Sequence, residues 1–302
     1  YLYLTHERIC YVLLDLAQEN TAFTLLRPAR AALSEPDGDR FGLRVSREGQ
    51  PDIEVRAGLV VAADGRASAL RQAAGIKAEI HQYQSPLVGL FADRTFDDPR
   101  NELHAFVGEE AIVSVVPRTG QGWKIGIPIA RDEIGRWKRA GDAERSALFG
   151  DLVPALGAIS TRLADFYPTA MVRVEAWQRR NLVLVGDACH AMHPGRSQGM
   201  NTSIRCIAAL IDHLPAPDRM RDPNAVHAVL TAFERTVRPG IDARLDDNHQ
   251  RGLDMDLRDP AQNRALMDQL RAVQANPDTL FRYRMDTTGC AMPAAANTET
   301  AT

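Results

Sequence analysis

Asn181–Asn201 reads NLVLVGDACHAMHPGRSQGMN. Asn181–Val185 has the continuous apolar character of a strand buried on both faces, and it ends in Gly186-Asp187. A loop carrying Pro194, Gly195 and Gly199 then enters a helix at about Asn201. This order, strand then glycine-rich loop then helix, places a carboxylate and a helix amino end at the same edge of a sheet. Ligands of open α/β sheets bind outside that edge. A helix amino end has N–H groups without intrahelical partners and the positive end of the dipole, so it can hold an anion or a developing negative charge.

A second stretch has the same grammar. Val60–Arg71 reads VVAADGRASALR, with a strand expected over Gly58–Ala63 that runs into Asp64-Gly65. Ser68 and Arg71 follow Asp64 at distances of four and seven residues. Gly65 permits close backbone approach. Taken alone, the stretch fits a plain strand–turn–helix junction as well as a ligand-bearing edge. Ala67–Ala74 is helical in pattern, and Gly75 stands where a left-handed cap belongs.

Outward from these two stretches, Ile9, Val12, Leu13 and Leu16 have amphipathic helical spacing, and Ala22–Arg27 is a short strand candidate. Phe41–Ser46 and Asp52–Arg56 alternate as a hairpin around Arg47–Pro51. Between Pro86 and Pro128, β-rich pieces (Leu87–Phe91, Leu103–Val107, Ala111–Val116, Trp123–Ile127) predict an antiparallel sheet distinct from the parallel-type strands. Helices are expected over Asp142–Gly150 and Asp151–Asp165, and a strand over Ala170–Trp177. Asn201–Leu214 carries Ile204, Ile207, Ala208, Ile211 and Leu214 on one helical face and is stopped by Pro215 and Pro217. Asp222-Pro223, Asp259-Pro260 and Asn276-Pro277 each give an N-cap followed by proline at the first helical position. From Ala291 on there is too little apolar content to pack.

Composition narrows the functional classes. A net charge of −3, without a basic block, gives no electrostatic case for nucleic acid. No apolar run approaches the roughly 20 residues of a membrane-spanning helix, and no signal-peptide pattern opens the chain. Cys10, Cys189, Cys206 and Cys290 are scattered, which suits free thiols in a reducing cytoplasm. His190 and His193 lie three apart with no further ligand beside them, so no metal site is expected.

The two motifs, in this order and separation, resemble the Asp-Gly and Gly-Asp motifs of the class A flavoprotein monooxygenases, the group containing p-hydroxybenzoate hydroxylase. The resemblance extends through the β-rich unit to the helical tail. It implies an α/β fold of the p-hydroxybenzoate hydroxylase-like FAD-binding type. Residues 1–80 would form part of the FAD-binding domain, 81–178 a β-rich substrate domain, 179–215 the flavin-ring segment and 216–302 C-terminal helices with a frayed tail. It also implies FAD held non-covalently, NAD(P)H as reductant, and O2 used to hydroxylate a small, aromatic or similarly electron-rich substrate. Asp187, after Gly186, resembles the acid that hydrogen-bonds a ribityl hydroxyl. Pro194 matches the proline beside the isoalloxazine, and Gly199, Met200 and Asn201 match the turn whose N–H groups face the pyrimidine ring. Asp64 and Gly65 match the pair serving FAD and NAD(P)H, and Arg8 resembles an arginine that reaches the cofactor from the first helix. A histidine at His190 is usual in the family, where a structural hydrogen bond is its expected role.

There are departures. Ser197 stands where the loop usually has glycine, Cys206 where aspartate is common and Cys189 where alanine is. A serine enters the left-handed region only at some cost. Trp123-Lys-Ile-Gly-Ile-Pro128 partly matches a halogenase signature, but Ile125 replaces its second tryptophan and a half-buried strand is the better account. His104 faces either substrate or solvent. No G-x-G-x-x-G occurs in the 302 residues, and the chain opens at Tyr1 without methionine. The expectation is therefore a fragment with the N-terminal βαβ unit missing, roughly 100 residues lying upstream. The alternatives are a flavin halogenase or reductase on the same scaffold, and a truncated, non-catalytic product.

Overall fold

The computed structural model describes residues 6–93, 103–118, 122–156, 159–256 and 259–276. The chain begins with α1 (His6–Gln18) and continues through a three-stranded antiparallel sheet, β1 (Arg30–Leu33), β2 (Gly42–Arg47) and β3 (Gln50–Arg56). β4 (Val60–Ala62), α2 (Ala69–Ala73), β5 (Ala78–Gln82) and β6 (Leu87–Ala92) follow. Then come β7 (His104–Val107), β8 (Ile112–Arg118), β9 (Gly122–Pro128), α3 (Ile134–Arg139) and α4 (Asp142–Leu152). β10 (Thr161–Tyr167), β11 (Ala170–Val174), β12 (Gln178–Arg179) and β13 (Leu182–Leu184) lead into α5 (Asp187–His190) and α6 (Gly199–His213). The long α7 (Pro223–Met255) and α8 (Pro260–Gln274) close the described chain. The mixed α/β class matches the expectation.

The sheet that carries both motifs runs β12-β13-β4, and β13 pairs with β4 in parallel, Leu182 opposite Val60 and Leu184 opposite Ala62. β13 is buried throughout, as its composition demands. β4 is not: Val61 is 47% exposed, so the run expected to be buried on both faces is a three-residue strand covered on one. Asn181 fixes the register from the side. Its carboxamide accepts from Phe41 N–H and donates to the carbonyls of Phe41 and Ala57.

The β-rich middle is a five-stranded sheet, β10-β6-β9-β8-β7, antiparallel at every pair. One face carries Val88, Leu90, Val113, Val115, Trp123, Ile125 and Ile127 into a core closed by Trp137 of α3 and Phe149 of α4. Trp123 and Ile125 both lie in that core, consistent with a half-buried strand in place of the halogenase signature. His104 pairs with Val115 and so lies on this packed face, stacked against Phe106, not toward solvent as one alternative had it.

Three expectations are corrected. Asp151–Asp165 is not a helix: α4 ends at Leu152, Pro154 cannot continue it, and Thr161–Tyr167 pairs with β6. Local helix propensity gives way there to the unfilled edge of β6. Ala22–Arg27 is irregular; the ladder to β2 is made by Arg30–Leu33 instead, and an apolar segment without a ladder partner is not a strand. α6 forms, but Ile204, Ile207 and Ile211 are exposed, the last by 61%. The face turned inward is Thr202, Cys206 and Leu210, and α6 packs against α7. Periodicity identified a face without identifying its partner.

Asp222 and Asp259 cap α7 and α8 as expected, accepting from Asn224 N–H and Gln262 N–H. α7 passes through Pro239. The preceding Arg238 pairs with Glu234 and Asp242 and donates to the carbonyls of Val174 and Glu175, which ties the helix to the end of β11. The Asn276-Pro277 start and the tail from Ala291 fall at or beyond the limit of the described residues.

Candidate functional site

The parallel pairing of β4 with β13 brings the two motifs to one sheet edge. At the end of β13, Gly186 takes φ +59, and a Cβ there would approach Ser203 Oγ at 3.4 Å. The chain then turns directly into α5 with Asp187 as its first residue. The Asp187 side chain is 47% exposed, and Arg66 Nε lies 3.6 Å from Oδ2. Asp187 therefore presents a carboxylate at the mouth of the edge, next to the Arg66 guanidinium.

Asp64 is used differently. Its Oδ1 accepts from the buried Ser68 hydroxyl at 2.5 Å, and Oδ2 accepts from Leu70 N–H at 3.1 Å. Ser68 in turn caps α2 by accepting from Arg71 N–H. The four-residue spacing that drew attention in the sequence is thus a capping arrangement. Gly65 takes φ +84, with open space where a Cβ would stand. Arg71, 2% exposed, crosses from one motif to the other: its guanidinium donates to Ala188 O at 2.7 Å and to Arg66 O at 2.8 Å.

The loop after α5 is braced from behind. His193 N–H donates to Asn248 Oδ1 at 2.7 Å, and Asn248 Nδ2 donates back to His193 O at 3.1 Å, so one buried side chain on α7 fixes the peptide before Pro194. His193 Nδ1 accepts from Gly195 N–H. Burial pushes the His193 imidazole down to about 4, with His249 adding to the shift and Asp256 opposing it. Tyr83 packs edge-on against His193, its hydroxyl 2.8 Å from His249 Nδ1, and burial raises the phenol to about 12. A Cβ on Gly252 would sit 2.9 Å from the Tyr83 ring, so the glycine lets that ring lie across α7. None of this bracing was legible in the sequence, because Tyr83, His193 and Asn248 are far apart in the chain.

Ser197 adopts the left-handed conformation, φ +52 and ψ +32, as the loop requires. α6 then begins without a side-chain cap, unlike α7 and α8. Its opening residues Gly199, Met200 and Asn201 stand at the surface or half-buried, and Pro194 is exposed. Uncapped N–H groups, an exposed proline and the Asp187 carboxylate therefore border one region of surface. Arg8 is exposed on α1, whose first described residue, His6, senses the charge of Lys124 on β9.

His190 departs from the expected structural hydrogen bond. It is 2% exposed, and neither ring nitrogen has a partner among the described residues; the ring packs near Trp177 instead, and burial pushes its imidazole down. Cys189 and Cys206 are buried packing groups whose thiols burial pushes up, Cys206 to about 12. Among the described residues, no cluster could hold a metal ion and no helix is long and apolar enough to cross a membrane. A cavity of about 430 Å³ lined by Leu253, Asp254, Gln262 and Leu266 lies between α7 and α8, apart from the motif residues.

Comparison with known proteins bears on the same edge. The FAD binding domain family matches residues 5–235. The chain is 32% identical over 222 residues to the ubiquinone hydroxylase of Rhodospirillum rubrum, covering 72% of this chain and 50% of that protein. It is 28% identical over 227 residues to the protoasukamycin 4-monooxygenase of Streptomyces nodosus subsp. asukaensis, covering 70% and 54%. The chain thus spans about half the length of these relatives. In fold it is similar to the p-nitrophenol 4-monooxygenase of Pseudomonas putida, with TM-score 0.74 over 96% of this chain and 74% of that one, at 17% identity.

Proposed function

The chain belongs to the FAD binding domain family, within the class A flavoprotein monooxygenases, and from that premise we propose that it serves the hydroxylation of an aromatic or similarly electron-rich small molecule with FAD, NAD(P)H and O2. The observation that carries the reading is the exposed Asp187 carboxylate beside an α6 start that no side chain caps.

The residues present fit the ring and ribityl end of FAD. Asp187 would accept a hydrogen bond from a ribityl hydroxyl, with Gly186, at φ +59, turning the chain just before it. The N–H groups of Gly199, Met200 and Asn201 would meet negative charge on the pyrimidine ring, to which a helix amino end is electrostatically suited. Pro194 would border the ring, and Asn248 and Tyr83 hold its loop in place. FAD supplies the redox and oxygen-transfer chemistry when bound. The protein's part is to orient the substrate, stabilise the reduced ring and exclude water. In this reading the substrate lies over the five-stranded sheet of the 81–178 unit. Arg66 supports that placement: it lies 3.6 Å from Asp187 and also donates to Pro168 O, directly after β10.

Two linked measurements test the reading. Fluorescence titration of residues 1–302 with FAD is expected to give weak binding, with a dissociation constant above about 1 μM, because no glycine-rich pyrophosphate cradle lies among them. At saturating FAD, NAD(P)H should bleach the flavin absorbance anaerobically, and label from ¹⁸O2 should appear in a hydroxylated aromatic. Flavin reduction without labelled product from any phenol or aniline tried would overturn the monooxygenase assignment.

A further inference from the structure

Three helical starts share one device: a cap residue, then proline, then an N–H that the cap side chain accepts. Asp222-Pro223 opens α7 in this way, with Asp222 Oδ1 accepting from Asn224 N–H at 3.0 Å. Asp259-Pro260 opens α8, with Asp259 Oδ1 accepting from Gln262 N–H at 2.9 Å. His193-Pro194 opens the short turn Pro194–Arg196, and His193 Nδ1 accepts from Gly195 N–H at 3.2 Å. The cap on the flavin-ring loop is thus an imidazole where the other two are carboxylates.

The difference is chemical. A carboxylate goes on accepting until the pH is well into the acid range. An imidazole accepts at Nδ1 only while it is neutral, with its proton on Nε2, because both ring nitrogens of the charged form are donors. A protonated His193 would set one N–H against another, that of Gly195.

Packing makes this bond hard to replace. His193 is 4% exposed. A Cβ on Gly195 would lie 2.7 Å from the Met255 sulfur and 3.0 Å from His193 Nδ1, so a glycine is needed to bring this N–H against the ring. From β5, the Tyr83 ring stands 4.6 Å away, with His81 edge-on to both Tyr83 and His249. Arg131 donates to the Tyr83 carbonyl behind it. From α7 come Asn248, which clamps the His193 peptide, and His249, which meets the Tyr83 hydroxyl. Asp256 follows α7, but its carboxylate is taken by the N–H groups of Gln84 and Ser85 at 2.7 and 2.6 Å. The surroundings therefore favour the neutral imidazole, which burial pushes down to about 4.

The turn leads straight to the cofactor edge. Ser197 N–H donates to Pro194 O at 2.9 Å, Ser197 takes its left-handed conformation, and α6 begins two residues later. Building on the cofactor reading, we infer that neutral His193 is the positioning residue of the flavin-ring loop: by holding Gly195 N–H it sets where the first N–H groups of α6 stand, and taking up a proton releases the loop. Held in the loop, the imidazole titrates at about 4, and released to water it returns toward its ordinary 6.5. The closed loop is therefore fully favoured above pH 6.5 and loses ground as the pH falls from there toward 4.

The test joins a flavin-free and a flavin-bound measurement on residues 1–302. Without FAD, amide exchange is followed in peptides containing the Gly195 N–H, corrected for the intrinsic pH dependence of exchange. Protection is expected to fall roughly thirtyfold between pH 6.5 and pH 4.5 in the wild type. His193→Asn supplies a carbonyl that accepts at every pH in this range and is a favoured cap, so its profile should be level. At pH 7.5, His193→Leu should weaken FAD binding at least about tenfold. It should also lower the two-electron potential of the bound flavin by about 30 mV, equivalent to a tenfold loss of preference for the reduced ring. His193→Asn should keep the FAD affinity within about threefold and leave the potential in place. If His193→Leu fails to fold, the wild-type and His193→Asn exchange profiles decide the matter. Level wild-type protection, an Asn variant that keeps the wild-type slope, or a Leu variant with wild-type affinity and potential would each overturn the inference. A wild type that binds no flavin at any concentration would instead overturn the cofactor reading and the flavin half of this inference with it, while the exchange profile decides the proton-linked latch by itself.

Discussion

Asp64 and Asp187 follow neighbouring parallel strands, each beside a glycine with positive φ, Asp64 shortly before α2 and Asp187 as the first residue of α5. Asp64 spends both carboxylate oxygens on the start of α2, accepting from Ser68 and Leu70. Asp187 opens α5, half-exposed, with Arg66 as its nearest cation. The order of acid and glycine separates them. Where the acid comes first, its side chain points forward along the chain and reaches the N–H groups of the helix it precedes. Where the glycine comes first, the turn is complete before the acid, which is then carried on the helix itself and left facing outward. One turn is built for stability and the other is open to a ligand.

Arg71 offers the way to disrupt both turns together. Its buried guanidinium is held by Ala188 O and Arg66 O, so Arg71→Met leaves two carbonyls short of a donor. The expected loss is roughly 3 kcal/mol of folding stability, from two hydrogen bonds to a charged group. Urea unfolding measures it, and a loss below about 1 kcal/mol would mean that the motifs are not coupled through this side chain.

Asp187→Ala should separate the turns. Removing a charge-assisted hydrogen bond worth about 1.5–3 kcal/mol lowers FAD affinity roughly ten- to a hundred-fold. Stability without FAD should stay within about 0.5 kcal/mol, as for a surface substitution. An unchanged FAD dissociation constant would mean that the ligand-facing carboxylate lies elsewhere.

The smallest effect is expected from Asp64→Ala, which should show the reverse pattern. Loss of the cap contacts costs about 1 kcal/mol of stability, while FAD affinity at saturating protein stability should change by less than about threefold. If FAD binding fell as far as in Asp187→Ala, the contrast between the turns would be wrong and Asp64 would belong to the cofactor site.

Much of this architecture is carried by local signals. The buried β13, four of the five strands of the middle sheet, the left-handed Gly75 and the proline-started α7 follow from patterns within a few residues. The errors came where a partner distant in sequence decided the outcome. Thr161–Tyr167 has no strong strand pattern, yet β6 needs a neighbour on that edge. Ile204, Ile207 and Ile211 mark a clear apolar stripe, yet α6 meets α7 through Thr202, Cys206 and Leu210. The site divides the same way. Gly186, Asp187, Pro194 and Gly199–Asn201 form one short segment and could be named from its order, whereas Tyr83, Asn248 and Arg66 join it only through space.

The sequence by itself determined the two strand-to-turn motifs, the α/β class and the family, because each is written in contiguous residues whose backbone demands are local. Only the tertiary structure decided which carboxylate is consumed by a helix cap, which face of α6 is covered, and which distant side chains brace the loop before Pro194. Hydrogen bonds and burial depend on which atoms meet, and here the atoms that meet can be 166 residues apart, as in Tyr83 with His249.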